Sequence, residues 1–216
     1  MVAVALTLVL FLRLASAPGP QSATAAALAE INKGNLFEGV RQLKDVVRTE
    51  PSAAPAYFYL SSLYTGIGRY DTAYRYLEKA IQASPGQGAY SHQLGILRRH
   101  EGCRPEALAA FQQALKSGMG KDAVTVWRHI GDVQVDLLNW NQAIEAYANA
   151  ILIEPDDGGA HLALGRLYLD RNDPERALVE LRVAQKKDPG LDGVHVKLGL
   201  AYRAVGDLTS AIATLR

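Results

Sequence analysis

The residues of this 216-residue chain whose types could do chemistry are five histidines, one cysteine, a glycine-rich turn before a lysine and a pair of adjacent aspartates. His100 and Cys103 stand close enough to begin a zinc site. Tetrahedral zinc needs four ligands, though, and no second pair accompanies them. Gly118-Met119-Gly120-Lys121 has the outline of a phosphate-cradling loop. No glycine precedes it at the required distance, and Asp122 stands where Ser or Thr must be. Asp156-Asp157 fall in a turn as solvated charges. His161 and His195 are 34 residues apart, at equivalent places of a repeating pattern, which makes them packing side chains. No serine elbow, paired-histidine zinc motif or dinucleotide glycine fingerprint occurs. Tyrosine and tryptophan fall mainly at repeat positions and do not form a base-stacking platform. The expectation is a chain with no catalytic residue, no metal site and no cofactor.

Composition is that of a folded protein. Apolar residues make up 49% and charged residues 21%, the balance of an ordered domain. A net charge of +1 gives no general attraction to nucleic acid or anionic lipid. One cysteine excludes an internal disulfide framework and any multi-cysteine metal site. Val2–Leu12 is an apolar run broken only by Thr7, and Ala15-Ser16-Ala17 with Pro18 follow. That is the outline of a secretory signal segment cleaved after Ala17, although no Lys or Arg precedes the run. The alternative for residues 1–17 is an apolar helix packed on the first repeat. Residues 18–22 then read as a link. Export to the periplasm or another extracytoplasmic space is expected, with a cytoplasmic location as the alternative. Membrane contact would come only through an uncleaved N-terminal segment.

The elements that must position everything else recur with a fixed period. Residues 158–189 contain Leu164-Gly165, Tyr168, Ala177, Leu181, Ala184 and Pro189 in order, and Pro51 to Pro85 is a step of 34 residues. This register resembles the tetratricopeptide repeat. The resemblance implies an all-α solenoid of stacked antiparallel helix pairs, a right-handed superhelix of about six repeats. The units span about 20–53, 54–87, 88–121, 124–157, 158–191 and 192–216, within 23–216 as a whole. The first is a worn copy, the fourth follows two extra residues at Ser117–Gly120, and the last stops inside its second helix. By the same resemblance, Gly95, Gly131, Gly165 and Gly199 on first helices face Ala107, Ala143, Ala177 and Ala211 on second helices. Ser61 faces Ala73 in the same way. Glycine in a helix costs about 1 kcal/mol against alanine, so its repetition demands a packing reason. Gly34, Gly68, Gly102, Gly206 and Asn172 fit left-handed turns that end helices.

The family's first helices line a groove for extended peptides or partner helices. Carried over by register, that surface holds Phe58, Tyr59, His92, Arg99, Arg128, Asp132, Arg166, Asp170 and Arg203. Arg98, Arg99 and Arg128 would make its middle basic. Such a face suits a peptide with apolar and acidic groups. The chaperone-binding clamp of Lys and Asn is absent, its places being held by Phe58, Ser62, Gln93 and Arg128. The asparagine ladder of the sugar-transferase type is replaced by Tyr59, Gln93, His129, Ala163 and Lys197. The implied function is a non-catalytic scaffold that binds a protein or peptide partner and no nucleic acid. The alternative is the recognition region of a longer enzyme or envelope assembly protein whose active part follows Arg216.

Overall fold

The computed structural model describes residues 22–215, and among them the backbone forms twelve α-helices, one short 3-10 turn and no strand. The apolar segment 1–17, most of the 18–22 link and Arg216 lie outside the described residues. Consecutive helices pack as pairs. α1 (Ser22–Asn32) joins α2 (Leu36–Thr49), α3 (Ala54–Gly66) joins α4 (Tyr70–Ala83), and α5 (Gly88–His100) joins α6 (Arg104–Lys116). These make one compact unit that ends at Asp122. A second begins at Ala123 and pairs α7 (Ala123–Asp136) with α8 (Trp140–Ile153), α9 (Gly158–Asp170) with α10 (Pro174–Lys187), and α11 (Val194–Ala204) with α12 (Leu208–Thr214). Inside each unit the second helix of one pair packs on the first of the next, and first helices lie beside first helices.

The break between the units falls just after the two-residue insertion. Gly118 and Gly120 there take left-handed φ of 76° and 56°, and Gly120–Asp122 form the 3-10 turn. Met119, which stands in place of the usual proline, is not idle. Its Sδ lies 2.5 Å from where a Cβ on Gly88 would be, so it fills the space at the start of α5.

Each hairpin turn depends on one residue with positive φ. Arg69 N–H returns to the Tyr64 carbonyl at 2.8 Å, and the same closure recurs from Cys103 to Arg98 at 2.9 Å and from Asp173 to Tyr168 at 2.8 Å. That bond requires the left-handed conformation one residue earlier. Gly68, Gly102 and Asn172 supply it with φ of 74°, 80° and 57°. In the fourth hairpin Asn139 N–H reaches the Gln134 carbonyl at 2.8 Å, and the residue forced to φ 61° is Leu138. A leucine side chain crowds the following carbonyl in that conformation.

The helical glycines have a different partner from the one expected. A Cβ on Gly95 would sit 2.5 Å from Phe111 Cδ1, and one on Gly131 2.7 Å from Tyr147 Cδ1. For Gly165 and Gly199 the nearest atoms are Leu181 Cγ at 2.6 Å and Leu215 Cγ at 2.8 Å. Each of these first-helix glycines therefore receives the large residue one turn beyond the alanine, and at Gly165 the Ala177 carbonyl oxygen also lies 3.3 Å away. Ala73, Ala107, Ala143 and Ala177 are completely buried, and Ala211 nearly so, where the second helix passes closest. In the first pair the roles are exchanged: Ala27 is on the first helix, and Gly39 on the second makes room for Ile31.

Leu138 is 66% exposed, so its side chain contributes little packing to offset its backbone strain. Leu138→Gly is expected to stabilise the second unit by about 1 kcal/mol, read as a raised urea midpoint, while Leu138→Ala, which keeps a Cβ, gains nothing.

Candidate functional site

The inner-face residues carried by register meet different fates in the two units. In the first unit Phe58 and Tyr59 are each 5% exposed and belong to the core, with Phe58 5.1 Å from the ring of Tyr90. Burial raises the Tyr59 hydroxyl pKa and pushes that of Tyr90 up to about 12. His92 is tilted against Phe111 at 5.7 Å. Gln93 is buried and donates to Thr65 Oγ1 at 2.7 Å, while the Thr65 hydroxyl donates to the Ser61 carbonyl. These positions were expected to offer side chains to a ligand. They are instead satisfied inside the chain, because aromatic and amide side chains of adjacent first helices are long enough to meet.

The expected basic centre is likewise engaged. Arg98 pairs with Glu101 at 2.9 Å, donates to the Tyr74 hydroxyl at 2.7 Å and lies over that ring. Arg99 is half-buried and has a partner. Arg128 binds Asp157 at 3.1 Å, with both groups mostly shielded from solvent. Asp157 also caps α9 by accepting from Gly159 N–H at 3.2 Å. A Cβ on Gly159 would run into the Arg128 guanidinium, which would have to move aside.

His161 is buried, its Nδ1 2.7 Å from a Glu180 carboxylate oxygen and its Nε2 3.1 Å from the Pro155 carbonyl, as a packing histidine should be. His195 is not. It is exposed on α11, and the residue that turns into the core at that point is its neighbour Val194. Among the described residues no group of three His, Cys, Asp or Glu side chains is placed to hold a metal ion.

In the second unit the inner face stays open. A cleft of about 180 Å³ lies along α7, α9 and the start of α11, lined by Asp132, Gly159, Leu162, Ala163, Arg166, Asp192, Gly193 and Lys197. Asp132 accepts from the Tyr147 hydroxyl at 2.8 Å. Arg166 is exposed and Lys197 half-buried. Asp170 and Arg203 do not line the cleft. Of the nine residues carried by register, Asp132 and Arg166 line it. Gly159 and Gly193 were missed, although the doublets Gly158-Gly159 and Asp192-Gly193 at equivalent helix starts mark a strip of bare backbone. The cleft can hold an anionic group against an apolar floor.

Family models described as tetratricopeptide repeat match residues 24–88 and 139–192, together more than half of the chain. The chain is a tetratricopeptide repeat protein. Human Superkiller complex protein 3 is 26% identical over 199 residues, covering 88% of this chain and 12% of that protein. The repeat chain spans about a tenth of the length of the curated relatives it matches. Among solved structures, PilW, a widely conserved type IV pilus biogenesis factor, superposes with a TM-score of 0.81 at 15% identity, covering 88% of each chain. YrrB, a repeat protein of the same family with an unusual peptide-binding site, has a TM-score of 0.58 at 18% identity, covering 80% of this chain and 88% of its own. At those identities the likeness is one of fold.

Asp157 serves two purposes, neutralising Arg128 and capping α9. Asp157→Ala is expected to destabilise the chain by about 1–2 kcal/mol in chemical denaturation, because it removes the cap and leaves a shielded guanidinium unpaired.

Proposed function

We propose that this repeat protein is a non-catalytic scaffold that holds a partner peptide or helix on the inner face of its first helices, with the second-unit cleft as the main contact. The observation that carries this is the contrast between the two inner faces. Among the described residues, Phe58, Tyr59 and Gln93 of the first unit's inner face are buried within the chain, whereas the second unit keeps an open cleft with charged walls and a floor of Leu162 and Ala163. A preformed concave surface with a few placed charges binds without reordering the backbone, which lowers the entropic cost of association. The peptide-binding site named for YrrB is in keeping with the same use of the fold. The apolar run 2–12 and the Ala15-Ser16-Ala17 motif favour action outside the cytoplasm, after removal of residues 1–17. A second reading, that these repeats are the recognition region of a longer enzyme or assembly protein, is favoured by the small share of each curated relative that they span.

A photo-crosslinking amino acid placed at Ala163 in the cleft is expected to trap one discrete protein partner in native cells. The same group at Val179, which is 61% exposed on α10, is expected to trap none. Equal trapping from both positions, or none from Ala163, overturns the scaffold reading.

A further inference from the structure

Several cations of this chain are paired with a nearby acid, whereas the two that share the second-unit cleft are not. Arg41 is answered by Glu38 at 2.7 Å, Arg98 by Glu101 at 2.9 Å, Arg128 by Asp157 at 3.1 Å and Lys187 by Asp156 at 2.5 Å. Arg166 and Lys197 line one cleft from adjacent first helices, and among the described residues neither side chain is held by a hydrogen bond or an ion pair. Beside them the lining includes Leu162, Ala163, Gly193 and Gly159, the last with the Arg128 guanidinium against it. A carboxylate placed there gains charge-assisted hydrogen bonds from a guanidinium and an ammonium in a site partly screened from water. The cleft's 180 Å³ is close to the roughly 150 Å³ that accepts a benzene ring, so it suits one side chain and its neighbour's edge. Asp132 and Asp192 on the same walls bring the cleft's formal charge to zero and oppose a doubly charged phosphate more strongly than a single carboxylate, and Asp132 is already engaged by the Tyr147 hydroxyl.

We propose that this cleft is a carboxylate socket: it takes an internal glutamate or aspartate of an extended partner segment between Arg166 and Lys197, with the adjoining apolar side chain resting on Leu162 and Ala163. Such a socket presupposes that the inner face of the second unit holds a peptide, and it adds which peptide.

The test is selection of a random heptapeptide library, displayed through its C-termini so that no free α-carboxylate is offered, on the immobilised full chain and on two variants. The intact chain is expected to enrich Glu or Asp next to Leu, Ile, Val or Phe by about tenfold over the unselected library. R166E/K197E is expected to lose that enrichment and favour Lys or Arg. R166Q/K197Q, which keeps side-chain volume, is expected to lose the acidic preference while retaining the apolar one. Thermal unfolding of both variants at the parent temperature ties these losses to charge. Apolar peptides selected without acids overturn the socket while leaving the peptide-binding reading in place. Equal acidic enrichment on the parent and R166E/K197E, or no enrichment on any of the three, overturns it as well.

Discussion

The contact on which the rest of this chain depends is a glycine in a first helix lying under a large side chain of the second. Phe111, Tyr147, Leu181 and Leu215 each enter the space that a Cβ at Gly95, Gly131, Gly165 or Gly199 would take. The glycine weakens its own helix by about 1 kcal/mol relative to alanine. In exchange the two backbones approach closely enough to bury the large residue, and a fully buried side chain of that size contributes about 1.5–3 kcal/mol. Phe111, Tyr147 and Leu181 are completely buried; Leu215, at the last pair, remains 59% exposed. The interdigitation fixes the face each second helix presents to the next pair. It therefore fixes which side chains of the first helices are left on the opposite side.

Much of this could be read from residue types and spacing. Period, hairpin turns and close-packed positions all follow from Leu164-Gly165, Ala177 and Pro189 and their counterparts, because small residues repeated at helix crossings signal a tight approach. What spacing does not encode is which side chain fills the gap. The alanines mark where backbones meet, and the large residue one turn further on does the filling. The first pair shows the same ambiguity, since exchanging Ala27 and Gly39 preserves the packing while breaking the pattern. Leu138 shows a limit of another kind. Turn geometry is imposed by the hairpin, so a residue poorly suited to positive φ is carried along.

The candidate site was legible in outline and misplaced in detail. Register identifies which side of the first helices faces inward, but not whether a side chain there is free. Phe58 and Tyr59 are long enough to be captured by neighbouring aromatics, and Arg98 and Arg128 are captured by Tyr74, Glu101 and Asp157. Asp157 lies 29 residues beyond Arg128, a pairing that no local motif announces. Arg166 and Lys197 share their cleft with Gly159, Ala163 and Gly193, which carry no side chain long enough to engage them, and among the described residues no hydrogen bond ties them to Asp132 or Asp192 on the same walls. An open cleft here is thus a consequence of small residues, as the close helix pairing is.

The most direct measurement is the stability of Gly165→Ala in two backgrounds, the parent chain and Leu181→Ala. With Leu181 present, the added methyl meets its Cγ and Cδ2 and should destabilise. With Leu181 shortened, only the approach of 3.3 Å to the Ala177 carbonyl oxygen remains, so most of the penalty should go, and the better helix propensity of alanine offsets the rest by up to about 1 kcal/mol. A much smaller cost, or a gain, in the shortened background is the predicted result. The same effect in both would contradict the glycine's role as the seat of the facing leucine.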